Sequence, residues 1–350
     1  MPFHSILAHD AVVSRLSLAV ARDTLPPSLL FAGPDGVGKR TTAIALAEVL
    51  NCERPQTPAG ADAREAIDAC GVCGPCRRIA GGSFSELLVL APPPGGSIKI
   101  EQVRDTLARM AFRPFEGRRR AVVVDDAEAL TGDAQGAMLK TLEEPNPSSV
   151  MVLVSARPEL LLPTVRSRCP QLRFGPLGAA SLEAVLAAEG VGDPAERRQL
   201  AVAGRGSAAR ALAEREGSPG ESRRIAEHVI ERIGAMGNPG ACLDLGRVLL
   251  EPGQARPAAG AGSAAARERQ TLGERLAAIG ALLRDVALVA AGADRGLLVH
   301  SGGAGALERI ARVFDKDRIA TAFAAVDRAR FALDRNASPK IVADWVVLQL

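Results

Sequence analysis

The chain has 350 residues, with 43 basic and 40 acidic side chains for a net charge of +3, and 47% hydrophobic against 24% charged residues. That size allows two or three domains, each with its own core, and the composition excludes a disordered chain. The near-balanced charge gives no support to a general nucleic-acid binder, and no apolar run reaches the roughly 18 residues that a bilayer span needs.

His4, Asp10, Arg15 and Arg22 interrupt the first 25 residues, so no secretory hydrophobic core is read there. A cytoplasmic location is expected, with no membrane partner. In that compartment the six cysteines are more often thiols or metal ligands than disulfides. Arginine makes up most of the basic residues in a chain heavy in Ala, Gly and Pro, which is read mainly as codon bias.

In chain order, short apolar runs alternate with helical stretches, the pattern of a mostly parallel α/β sheet. Strands are predicted at Leu29–Ala32, Leu87–Leu90, Ala121–Val124, Val150–Val154 and Leu172–Phe174. Helices are predicted at Arg40–Leu50, Glu101–Phe112 and Asp133–Glu143. After Phe174 the sequence turns helical, with a three-helix unit over Ser181–Ala188, Ala195–Ala203 and Ser207–Glu214. Glu216–Glu221 reads as a linker, a larger helical region follows, and residues 252–266 form a low-complexity stretch expected to be a mobile loop.

The run Gly33-Pro34-Asp35-Gly36-Val37-Gly38-Lys39-Arg40-Thr41 sits between a predicted strand and a predicted helix, the context of a Walker A loop. Its glycines let backbone N–H groups curl round phosphate, and Lys39 meets the outer phosphate oxygens. The position that supplies a hydroxyl to Mg²⁺ carries Arg40, and Thr41 lies about 100° further round the helix. The loop is therefore expected to cradle phosphate, with Arg40 speaking against metal-assisted hydrolysis; a glycine-rich turn that binds nothing is the alternative reading. Further along, the strand ending in Asp125-Asp126 resembles Walker B, with Asp126 where a longer glutamate usually orients water. Two acids capping a turn are the alternative for that pair.

Cys52, Cys70, Cys73 and Cys76 place four soft ligands within 25 residues, which suits a tetrahedral structural Zn²⁺. A redox Cys-x-x-Cys pair and an iron–sulfur cluster are the competing readings. Cys169 and Cys242 are read as buried small hydrophobes.

Two further runs, Leu139-Lys140-Thr141-Leu142-Glu143-Glu144-Pro145 and Ser167-Arg168-Cys169, resemble the bacterial DNA polymerase III clamp-loader subunits of the AAA+ class, over roughly residues 1 to 175. The resemblance implies an AAA+ domain with an inserted zinc module over 1–175, a helical lid over 176–216 and a helical collar over 217–350. Arg40, the Asp125-Asp126 pair and the run Gly206 to Leu212 look more like the delta-prime type than the ATP-hydrolysing gamma/tau type, which is the alternative. The resemblance also implies Arg168 as an arginine finger acting in trans, with an ion pair at a strand edge as its bland reading. Ser155 stands at a sensor position near the outer phosphate, and Arg210 falls one place later than the nucleotide-sensing arginine of gamma/tau.

Implied partners are gamma/tau and delta in a hetero-pentameric ring, with the sliding clamp and primer-template DNA reached through it. The chain is then part of a DNA-directed DNA polymerase holoenzyme with weak or no ATPase of its own. ATP/Mg²⁺ is left open as a cofactor. A free-standing nucleic-acid binder built on the cysteine module fits worst, because Asp62, Glu65 and Asp68 surround it and the nearest aromatic is Phe84.

Overall fold

The computed structural model describes residues 1–57, 66–93, 96–215, 218–235, 239–251, 264–293, 304–334 and 337–350. They form two compact units, one over Met1–Pro93 and Ser97–Leu212, the other over Ala213–Leu350.

The first unit runs α1 (Asp10–Ala21), β1 (Ser28–Ala32), α2 (Lys39–Asn51), α3 (Gly74–Ala80), β2 (Leu87–Leu90), α4 (Ile100–Met110), β3 (Arg120–Val124), α5 (Gly132–Glu143), β4 (Ser149–Ser155), α6 (Pro163–Arg166), β5 (Gln171–Arg173), α7 (Ala179–Ala188), α8 (Pro194–Gly204) and α9 (Ala208–Arg215). The five strands make one parallel sheet in the order β2-β3-β4-β1-β5. A parallel sheet is covered by helices on both faces, so its central strands must be apolar throughout. Every residue of β1, β3 and β4 is buried.

Alternation then sends successive side chains to opposite cores. Phe31, Val123 and Val152 join one cluster with Leu46 and Val49 of α2, while Leu30, Val122 and Met151 join the other with Val103 of α4 and Met138 of α5. In register, Phe31 lies opposite Val154 and Val124 opposite Leu153. The C-terminal ends of β1, β3 and β4 therefore share one edge of the sheet, where an open α/β sheet binds its ligands.

Three helices of this unit, α1, α3 and the one-turn α6, were not anticipated from sequence. In α1, Val12 and Leu16 are buried one turn apart; in α3, Pro75 stands in the first turn, where its missing N–H costs nothing.

The second unit is all helical: α10 (Ser218–Ala235), α11 (Pro239–Val248), α12 (Ala264–Ala290), α13 (Ala304–Val313), α14 (Lys316–Asp334) and α15 (Pro339–Gln349). Leu272, Leu276, Ile279, Leu283 and Val286 put a buried stripe along α12 at alternating four- and three-residue spacing. Val229, Phe314, Val326 and Val346 close round it. The buried Arg275 donates Nη1–H to the Val248 carbonyl at 2.7 Å, meeting an end-of-helix acceptor of α11, and burial lowers its pKa.

The linker expected at Glu216–Glu221 is corrected in part: α10 already begins at Ser218, in keeping with a Ser-Pro pair as a helix start. Residues 216–217, and 252–263 of the expected loop, lie outside the described residues, while 264–266 belong to α12. Among the described residues no helix is long and apolar enough to cross a membrane.

Candidate functional site

The loop after β1 wraps the start of α2 and is packed from both sides. A Cβ on Gly33 would sit 2.1 Å from the Phe174 carbonyl oxygen, and one on Gly36, at φ +71°, would sit 2.4 Å from Ser207 Oγ. Only glycine permits these approaches. The Gly36 carbonyl accepts N–H bonds from Ala208 at 2.9 Å and Ala209 at 3.3 Å, so the start of α9 is docked onto the loop. Gly38, also in the left-handed region, precedes α2.

Lys39 is buried and donates from Nζ to the carbonyls of Gly33 at 2.6 Å and Pro34 at 2.7 Å, with Asp35 Oδ1 at 3.8 Å. Arg40 reaches across the pocket: its Nη1 lies 3.1 Å from Asp125 Oδ2, joining residues 85 apart in sequence. Asp126 follows in a left-handed conformation that aspartate tolerates. Burial first, then the nearby charges of Asp125, Glu128 and Asp35, push its carboxyl up to about 6. Carboxylate oxygens of Asp35, Asp126 and Glu128 lie within 4.8 Å of one another.

Several of these groups line a cavity of about 620 Å³, large enough for a nucleotide. Gly36, Gly38, Lys39, Arg40, Thr41, Asp125 and Asp126 all contribute to its wall. Ile6, Leu7, Val185 and Leu212 give an apolar side, and His9 joins them with its Nε2–H on the Val37 carbonyl at 2.9 Å. The residues before α1 carry no motif, which is why His9 and its neighbours escape a sequence reading.

Three expected members stand off the cavity wall: Gly33, packed against Phe174, together with Ser155 and Arg210. Ser155 is fully buried at the end of β4, where its Oγ accepts the Arg157 N–H at 3.1 Å, and the cavity takes Val154 instead. Arg210 is exposed on α9, and Ala208, Ala209 and Leu212 are the residues of that helix that line the cavity.

Arg168 lies outside the cavity. Its Nη2 donates to Glu143 Oε1 at 2.5 Å and its Nη1 to the Thr164 carbonyl at 2.9 Å. The neighbouring Cys169 is buried, and burial pushes its thiol up to about 11. The side chain of Cys242 lies outside the described residues.

The four cysteines Cys52, Cys70, Cys73 and Cys76 converge at the end of α2 and the start of α3, with all Sγ atoms within 4.8 Å of one another. Cys73 Sγ lies 3.3 Å from Cys76 Sγ and 4.0 Å from Cys52 Sγ. The N–H groups of Cys70 and Cys73 donate to the sulfurs of Cys52 and Cys70 at 3.3 and 3.4 Å. Backbone N–H bonds, that of Val72 foremost, lower the Cys70 thiol to about 7, whereas burial raises Cys52 and Cys76. A close set of four sulfurs, three of them on buried residues, already served by N–H donors is a set that can hold a soft metal ion.

Asp62 and Glu65 lie outside the described residues, but Asp68 turns inward. Its carboxylate accepts from the Phe3 N–H at 2.7 Å and the His4 N–H at 2.9 Å, pinning the first residues of the chain to the cysteine module. Phe84 is buried and offers no stacking surface.

The family described as DNA polymerase III, delta subunit, matches residues 8–178. Pseudomonas aeruginosa DNA polymerase III subunit delta' is 39% identical over 156 residues, 44% of this chain and 45% of that protein. Escherichia coli DNA polymerase III subunit tau is 31% identical over 215 residues, 60% of this chain and 32% of that protein. The matches thus span less than half the length of either relative. Among solved structures, a DNA polymerase III gamma subunit-related protein of Thermotoga maritima is 20% identical with a TM-score of 0.46, covering 94% of this chain and 95% of that one. Over residues 8–178 the chain is similar to the DNA polymerase III delta-subunit family, and of the two curated relatives named it is more alike to the delta' subunit.

Proposed function

We propose that the chain works as a delta'-type subunit of a cytoplasmic clamp loader, one that assists ATP hydrolysis by a neighbouring subunit rather than carrying it out. Its partners are gamma/tau and delta in a hetero-pentameric ring, which opens a sliding clamp and sets it on primed DNA. Residues 1–175 form its nucleotide-type AAA+ domain, 176–216 its lid and 217–350 the collar through which it assembles. Cys52, Cys70, Cys73 and Cys76 hold a structural Zn²⁺ that ties the inserted module together; with four protein ligands no position is left for catalysis.

One observation carries the choice of delta' over gamma/tau: Asp125, the carboxylate that a hydrolysing pocket gives to Mg²⁺, is paired with Arg40. The higher identity to delta' than to tau supports the same choice. Arg168 supplies the complementary half. It lies outside its own cavity, on the surface after α6, and a fixed planar cation there can be offered to phosphate in an adjoining site.

The test is ATP turnover by a complex reconstituted with Arg168→Ala, expected to fall by about 10³-fold at the affected site. Turnover by the isolated chain at a rate typical of gamma/tau would replace this assignment with the motor type.

A further inference from the structure

We infer that Arg40 takes the place of the divalent cation in this pocket, which therefore binds a nucleoside diphosphate without metal. The inference rests on the assignment above of a subunit that does not hydrolyse ATP, but makes no use of Arg168 or of the ring.

The donor set does not fit Mg²⁺ in the usual way. No hydroxyl follows Lys39, and Arg40 Nη1 occupies Asp125 Oδ2 at 3.1 Å. A hard divalent cation needs oxygen ligands in a near-octahedral shell, and a guanidinium on the principal carboxylate excludes it by charge as well as by space. The pocket nonetheless keeps the parts that grip phosphate: the tightly packed glycine loop, the start of a 13-residue helix, Lys39 and a cavity of about 620 Å³ with an apolar wall. A site that had simply decayed has no reason to retain both the buried lysine and the volume.

The chemistry of Arg40 completes the substitution. A guanidinium has five N–H donors in a rigid fork, so it can hold Asp125 with one end and a phosphate oxygen with the other. Its side chain is half exposed on the cavity side. Among the described residues, the lysine and arginine side chains lining the cavity are Lys39 and Arg40, against the carboxylates of Asp35, Asp125, Asp126 and Glu189. With Asp125 paired to Arg40, what remains to hold two phosphates is Lys39, the loop N–H groups, the start of α2 and the free end of the Arg40 fork. A third would bring more negative charge to a rim where Asp35, Asp126 and Glu128 already crowd one another, with no metal to offset it.

The deciding experiment is calorimetric titration of the full chain with ADP and with ATP, each in excess Mg²⁺ and in EDTA. The ADP dissociation constant should agree within about twofold between the two buffers, and ATP in EDTA should bind about tenfold more weakly than ADP. Arg40→Thr should lose about tenfold in ADP affinity in EDTA and regain it with Mg²⁺, while Arg40→Lys, which keeps the cation, should stay metal-independent. Wild-type binding that weakens tenfold or more in EDTA, as a cation held by Asp35, Asp126 and Glu128 would produce, overturns the inference. So does the absence of ADP binding at millimolar concentration, or an Arg40→Thr chain indistinguishable from wild type. Hydrolysis of ATP during the titration would instead sink the functional assignment on which the inference rests.

Discussion

Glu143 holds Arg168 by a charge-assisted hydrogen bond of 2.5 Å, and the two residues belong to the two runs that resemble clamp-loader subunits. The pair sits at the surface, with Arg168 one-third and Glu143 half exposed. Exposed pairs contribute little to stability, so Glu143→Gln should change the urea-unfolding free energy of the chain by less than about 1 kcal/mol. A larger loss would mean that the pair braces the fold rather than setting the rest position of the guanidinium.

The cysteine module should behave as a metal-dependent part of the fold. Purified chain is expected to carry about one zinc ion, and Cys76→Ser, which removes a buried ligand, should lower that to near zero. Chelation should lower the thermal midpoint, because binding to a folded site is folding free energy. Zero zinc with four titratable thiols, measured by elemental analysis and thiol assay, would dismiss the metal.

Asp126 makes a pH prediction. Its carboxyl is held at about 6 in the folded chain against roughly 3.9 unfolded. The folded state therefore binds the proton more tightly between those values, and ionised Asp126 opposes folding above about pH 6, an opposition that fades as pH falls toward 4. Asp126→Asn should raise the urea midpoint at about pH 7.5 and make no difference near pH 3.5. Asparagine also tolerates the left-handed backbone at this position, so geometry is kept.

Packing of the sheet can be checked with two phenylalanines. Phe31, wholly buried in β1, should cost about 3–5 kcal/mol when replaced by alanine. Phe115, almost fully exposed, should change stability by no more than about 0.5 kcal/mol. Denaturant unfolding of both variants reads the difference directly.

The strands were legible in the sequence because a doubly covered parallel sheet forces unbroken apolar runs such as Ala121–Val124, which nothing else in the first half imitates. Helices α1, α3 and α6 were hidden, the first by a diluted apolar stripe, the second beneath the cysteine spacing and the third by being only four residues long. The phosphate loop and the cysteine cluster were visible as local patterns, since their members are neighbours in the chain. What spacing could not supply was pairing at a distance: Arg40 with Asp125, Arg168 with Glu143, and Asp68 with the first residues of the chain. Position within a motif also does not say which side chains face the cavity. Arg210 and Ser155 sit where a sensing residue would be sought, while helix rotation and strand alternation bring Ala208, Ala209, Leu212 and Val154 to the cavity wall.

The claim that this subunit serves another's chemistry is tested most directly by ATP turnover in a reconstituted clamp-loader complex containing Arg168→Ala, with assembly verified by gel filtration. Assembly should be intact and turnover at the adjoining site about 10³-fold lower. An assembled complex with wild-type turnover would contradict it.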